Sequence, residues 1–160
     1  MSESLENFTN IVKEDIKEAK TLFFSEAFKE EYLKDRREEK ELYHQLLLGR
    51  NRNQILEEFL LSSGQKKPVL LSAAKTIYQA TIMNLDEPLE IKVKREGWGY
   101  LVGRIKSDGT FLSLHKNTFQ AEDFEDGTLT IYADMKTIPK DGDIDHLIIQ
   151  TVYQLSLIHI

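Results

Sequence analysis

Two apolar periods divide the chain. Up to about Gly64, apolar residues recur every three or four positions, the spacing of one helix face. Leu5, Phe8, Ile11, Val12, Ile16, Ala19, Leu22 and Phe23 make the first stripe. Lys13, Glu14, Lys17, Glu18 and Lys20 lie between them, mostly toward water. Ser25 is placed to cap a second helix, with Glu26 near the positive end of its dipole. That helix is predicted to run to Leu48 and stop at Gly49. Its ends are apolar (Phe28, Tyr32, Leu33, then Leu42, Tyr43, Leu46, Leu47), but Lys34 to Glu41 holds no apolar residue. Glu30–Lys34 and Arg37–Glu41, four residues apart, add about 0.2–0.5 kcal/mol each. A third helix starts near Asn51 or Asn53, carries Ile55, Leu56, Phe59 and Leu60, and ends before Gly64.

From Pro68 onward the period falls to two. Strands are predicted at Val69–Leu71, Ile77–Asn84, Leu89–Val93, Trp98–Ile105 and Phe111–Leu114. Two more follow, around Leu129–Ala133 and over Ile144–Tyr153. Asp86–Pro88, Ser107-Asp108-Gly109, Asp126-Gly127 and Asp141-Gly142 supply the turns. Short strands with no helical pattern between them argue for an antiparallel sandwich rather than a parallel sheet. The expected fold class is α+β: two to three helices over residues 1–64, then a sandwich over 65–154, with Gln65–Pro68 as the boundary.

Residues 69–154 resemble the bacterial immunoglobulin-like repeats of larger multi-module proteins. The resemblance rests on Gly99, Leu101, Gly103, Ile105, Ser107 and Asp108, then Phe111, Leu112 and Leu114. Phe119, Phe124, Ile138, Asp141, Gly142 and Thr151 complete it. It implies an immunoglobulin-like sandwich acting as a spacer or interaction surface, with one more strand after Thr151. That strand would begin near Val152. The sequence there ends LSLIHI, Leu155 to Ile160. As chemistry this is a strand. As one set of codons, CTG TCT CTT ATA CAC ATC, it is the mosaic end of a transposase adaptor used in sequencing libraries. The second reading carries the expectation that the native chain departs after Gln154, so that the sandwich is truncated at its last strand and the chain is a fragment of a larger protein.

Charge narrows the partners. The chain of 160 residues has a net charge of −6, and both halves are mildly acidic. Nucleic-acid binding draws most of its affinity from phosphate neutralisation, which neither half is equipped for. No apolar run approaches the roughly 20 residues of a membrane span. There is no cysteine, which excludes disulfides, thiolate metal sites and Cys nucleophiles. With no basic and apolar leader after Met1, the expected location is the cytoplasm.

The chemical motifs are weak. Gly97 to Gly103 reads G-x-G-x-x-x-G with no helix after it, which suits a strand with close backbone contacts better than a phosphate loop. Asp141, Asp143 and Asp145 suggest a calcium loop, but counting from Asp141 its sixth and twelfth positions hold His146 and Val152, where Gly and Glu are needed. His44, His115, His146 and His159 lack ligand spacing, and no Gly-x-Ser-x-Gly elbow occurs. Arg36, Arg37, Arg50 and Arg52 sit among Glu38, Glu39, Glu41, Glu57 and Glu58, the pattern of a solvated helix surface. Trp98 and Tyr100 remain. With the same parity on a strand they share a face. On a solvated face they form an apolar platform for a sugar ring or a partner; on an inward face they are core.

The expectation is therefore a non-catalytic structural or protein-interaction module with no cofactor and no metal. Its partners would be another protein or neighbouring domains of the same chain. The alternatives are a carbohydrate-binding module using Trp98 and Tyr100, or an accessory part of an enzyme whose catalytic domain lies downstream.

Overall fold

The computed structural model describes residues 4–73, 75, 87–109, 111–136 and 144–159. The expected strand Ile77–Asn84 and turn Asp141-Gly142 lie outside these residues, as does Ile138. The chain forms two compact units. The first is Met1–Pro68 with Trp98–Tyr100; the second is Val69–Gly97 with Leu101–Ile160.

The first unit contains five described helices: α1 (Leu5–Glu14), α2 (Ile16–Phe23), α3 (Glu26–Tyr32), α4 (Arg37–Leu46) and α5 (Arg52–Ser62). The pattern predicted three, and both extra breaks have local causes. Asp15 is extended, at φ −147° and ψ 93°, and its carboxylate accepts from the N–H groups of Lys17 and Glu18 at 3.1 Å. It thus caps α2 at the expense of a continuous helix. The break turns Ile16 out of the stripe, leaving it 44% exposed.

The second break follows Leu33, which is fully buried. The charged stretch after it offers no apolar residue to hold a helix against a core. The turn brings Phe28 and Tyr43 to a ring separation of 5.3 Å. On one straight helix these residues would lie about 22 Å apart along the axis. Lys34 thereby leaves the helix expected to pair it with Glu30, whereas Arg37–Glu41 forms at 3.7 Å on the exposed face of α4. Ser25 occupies the N-cap position of α3, but its hydroxyl donates back to the Leu22 carbonyl. At the end of α5, Gly64 adopts φ 78°. Gly64 N–H donates to Leu61 O and Gln65 N–H to Leu60 O, a Schellman closure that needs a residue free to enter the left-handed region.

Aromatic rings fill this unit's core. Phe8, Phe23, Phe28 and Phe59 are 0% exposed and Tyr43 is 2% exposed. Phe23 touches Phe8, Phe28, Tyr43 and Phe59 at centroid distances of 4.9–5.9 Å. The Tyr43 hydroxyl donates to the carbonyl of Phe23, the last residue of α2. That carbonyl has no acceptor role within its own helix.

The second unit holds β1 (Leu70–Ala73), β2 (Leu89–Glu96), β3 (Val102–Ser107), β4 (Leu112–Leu114), β5 (Thr118–Gln120), β6 (Thr128–Met135), β7 (His146–Thr151) and β8 (Leu155–His159). Their sheet orders are β1-β2-β6-β4 and β5-β3-β7-β8, and every pairing is antiparallel. The fold is therefore α+β, with helices first and two antiparallel sheets after them. Inward residues of both sheets, among them Leu71, Ile91, Ile131, Ile105, Phe119, Leu147 and Ile149, form one buried cluster. Alternation sets the register. Ile91 faces Ile131 across β2 and β6, while Ile105 faces Ile149 across β3 and β7. At Asp126-Gly127, φ is 50° and 77°, the left-handed pair of a tight hairpin turn between Glu125 and Thr128.

Two strand expectations change. The strand predicted from Trp98 begins at Val102, because Gly97 and Gly99 take φ 104° and 94° and interrupt the extended backbone. β5 has no counterpart among the expected strands, because Phe119 is the one apolar residue in Thr118–Gln120 and no alternation shows. Leu155–His159 pairs with His146–Gln150, so this segment fills the position expected for a last strand.

Candidate functional site

The second unit carries an open concavity of about 850 Å³ on the outer side of β5, β3 and β7. Sheet geometry explains which side chains reach it. Phe119 and Ile105 point into the core, so their neighbours Thr118, Gln120, Val102 and Arg104 point outward. Arg104 pairs in register with Thr118 on one side and Gln150 on the other. The three therefore form a row across the face. His115, Lys116 and Asn117 come from the connection between β4 and β5, and Asp123 from the short 3-10 turn after β5.

Electrostatics in this groove are those of a solvated surface. Lys116 approaches Asp123 at 3.9 Å, and His115 Nε2 lies 2.8 Å from Asp134 Oδ2. The Arg104 side chain has no ion-pair or hydrogen-bond partner among the described residues. The floor is tight: a Cβ on Gly103 would fall 2.2 Å from the Phe119 ring and 2.7 Å from the Gln150 carbonyl oxygen. Only glycine lets the aromatic ring close the core beneath the groove. The arrangement can bind a polar, extended ligand with rim contacts from Val102 and Val152. Its titratable groups are exposed or paired rather than buried and poised.

The sequence pattern puts Trp98 and Tyr100 on one strand face; the structure does not. They are half-buried, lie outside any strand, and belong to the first unit. Trp98 packs against the helical core. Lys66 Nζ stands 4.5 Å from its ring centroid and Lys13 Nζ 5.0 Å. Lys66 also donates to the Trp98 carbonyl oxygen at 2.7 Å and pairs with Glu57 Oε1 at 2.6 Å. The Lys66 and Glu57 side chains are 1% and 4% exposed. Sequence reasoning placed Glu57 on a solvated helix surface, yet α5 is apolar on several sides and the structure buries this glutamate against Lys66. A signal was present: Glu57 adjoins Leu56 and lies three residues before Leu60, both buried.

A third cluster sits at the turn after β3. Asp145 is 0% exposed and accepts from Ser107 Oγ at 2.6 Å and Gly109 N–H at 2.7 Å. Its second oxygen has no partner among the described residues. The next residue, His146, donates its N–H to Asp108 Oδ1 at 2.9 Å, and its Nδ1 lies 3.1 Å from Asp108 Oδ2. The pattern suggested Asp145 as an outward strand residue or a calcium ligand. It instead pins the Ser107–Gly109 turn. Among the described residues no three acidic, His or Cys side chains are grouped to hold a metal ion. No helix among them is long and apolar enough to cross a membrane.

Comparison with curated proteins and with solved structures returns no match. A family model described as "Family of unknown function (DUF5717) N-terminal" matches residues 2–160. Apart from Met1, both units fall within that match, as does the groove, and the chain belongs to this family of unknown function.

Proposed function

We propose that the chain is a non-catalytic protein-interaction module whose docking face is the groove over β5, β3 and β7. The observation that carries this reading is the Thr118–Arg104–Gln150 row, an exposed polar row in an open concavity over three paired strands. Rigid sheet backbones position such side chains at low entropic cost, as recognition surfaces require. The same reading takes the second unit as an immunoglobulin-like sandwich. In its support, β1-β2-β6-β4 and β3-β7-β8 follow the pairing of the A-B-E-D and C-F-G strands of that fold. One departure exists. β4 joins the first sheet before β5 joins the second, the reverse of the usual chain order.

The family's description as N-terminal supports the view that the module is one part of a longer protein, whose other domains are then natural partners. A chain without cysteine fits a reducing, cytoplasmic setting. The carbohydrate reading draws less support from the geometry, because a sugar stacking on Trp98 competes with Lys13 and Lys66 for the ring.

The test is site-specific photo-crosslinking in cells of the source organism. A photoreactive residue at position 118 or 150 is expected to capture one discrete protein or one region of the longer chain. The same residue at position 92, on the outer side of the other sheet, is expected to capture neither. Identical products from all three positions, or none from any, would overturn the reading.

A further inference from the structure

The groove's charge identifies the kind of partner it fits, an inference that rests on reading this face as a docking surface. Lys116 is matched by Asp123 and His115 by Asp134. Arg104 stands at the centre of the three-strand row without a carboxylate partner among the described residues. Lys106, two positions along β3, presents a second exposed cation on the same side. Among its lining residues the groove sets Arg104 and Lys116 against the one carboxylate of Asp123, a small positive excess in a chain that as a whole carries −6.

We propose that this groove docks an acidic protein segment, one of whose carboxylates seats on the Arg104 guanidinium. A guanidinium offers two parallel N–H groups to a carboxylate, the geometry of the stronger charge-assisted pairs. Thr118 and Gln150 flank it at one inter-strand spacing, about 4.8 Å, on either side. Their hydroxyl and carboxamide groups can donate to the same anion or to the backbone carrying it. A concavity of about 850 Å³ sits toward the upper end of the roughly 300–1,000 Å³ seen for ligand clefts. That is more room than one small anion fills. The exposed Val102 and Val152 add apolar contact that a peptide can use and a free phosphate cannot. Repulsion from the net negative charge is screened beyond about 8 Å at physiological salt, so the local cation decides the docking.

The probe is a hexaglutamate peptide titrated into isotope-labelled protein, with inorganic phosphate titrated separately at matched ionic strength. The peptide is expected to shift the amides of Arg104, Thr118 and Gln150 saturably. Arg104→Gln is expected to weaken binding about tenfold, and Arg104→Lys by less, because an ammonium lacks the planar fork. Lys94→Gln, on the other sheet, is expected to leave the affinity unchanged. Equal binding by Arg104→Gln would overturn the proposal, as would phosphate binding as tightly as the peptide at the same amides. The in-cell crosslink from position 118 separates this inference from the reading beneath it. Loss of that crosslink in Arg104→Gln supports an acidic partner. Persistence overturns the acidic partner and leaves the docking face standing, whereas no crosslink in the unaltered protein overturns both.

Discussion

Lys66 holds Trp98 from two directions: its ammonium lies 4.5 Å from the indole centroid and donates to the Trp98 carbonyl oxygen at 2.7 Å. Gly99, at φ 94°, lets the backbone pass this close, since a Cβ there would stand 2.9 Å from Lys66 Nζ. Glu57 completes the site at 2.6 Å from the ammonium. Breaking a buried pair strands the remaining charge, while replacing both members with apolar groups removes the desolvation cost as well. Lys66→Met is therefore expected to destabilise the first unit by about 3–5 kcal/mol. Glu57→Leu combined with Lys66→Met is expected to cost far less. Urea unfolding followed by the fluorescence of Trp98, the sole tryptophan, measures both.

The division into a helical part and a β part was legible because apolar period is a local property, set by which face meets a core. The breaks at Asp15 and after Leu33 were less so. A stripe of apolar residues constrains how a helix faces, not whether the chain bends between two helices that share a core. Trp98 and Tyr100 stand out in the sequence, but residues of the same parity share a face only on extended backbone. Gly97 and Gly99, both with positive φ, remove that condition. The Arg104 row could not be read from sequence at all. It depends on pairing Arg104 with Thr118 and Gln150, and the latter lies 46 residues away across a register that only the folded sheet fixes.

Asp145 makes the turn after β3 depend on a buried carboxylate. Asp145→Ala leaves the Ser107 hydroxyl and the Gly109 N–H without their acceptor. Hydrogen bonds to a charged group contribute about 1.5–3 kcal/mol each, so the loss of both is expected to cost about 3–6 kcal/mol. Amide hydrogen exchange at Gly109 is the direct measurement, with faster exchange in the variant. Gly109→Ala is expected to open the same turn, because its Cβ would lie 2.3 Å from the Asp145 carboxyl carbon.

Gly103 tests the floor of the groove. Gly103→Ala drives a methyl group into the Phe119 ring and against the Gln150 carbonyl oxygen. Overpacking of this kind costs about 1–3 kcal/mol. Phe119→Leu alone is also expected to destabilise, by loss of core volume. Combined, the two should cost less than the sum of their separate effects, because the smaller side chain vacates the space the methyl needs. Strict additivity in thermal unfolding followed by circular dichroism would show that the ring is not what excludes a side chain at position 103.

Tyr43 links the first unit to alkaline pH. Burial raises its hydroxyl above the ordinary value of 10.0, and the nearby Glu26 carboxylate raises it further. The hydroxyl donates to the Phe23 carbonyl, and a phenolate cannot make that bond. In the unfolded chain Tyr43 loses its proton near pH 10, whereas in the folded chain it keeps it. Between those two values the folded state binds more protons, so stability falls as pH rises, by at most about 1.4 kcal/mol per pH unit. Its contribution is fully present below pH 10 and is lost progressively above it. Tyr43→Phe removes this dependence and, at neutral pH, costs about 1–2 kcal/mol for the lost bond and the exposed need of the Phe23 carbonyl. The expected result is a pair of stability curves, read through Trp98 fluorescence from pH 8 to 11, that converge as pH rises. Parallel curves would show that the proton on Tyr43 does not stabilise the fold.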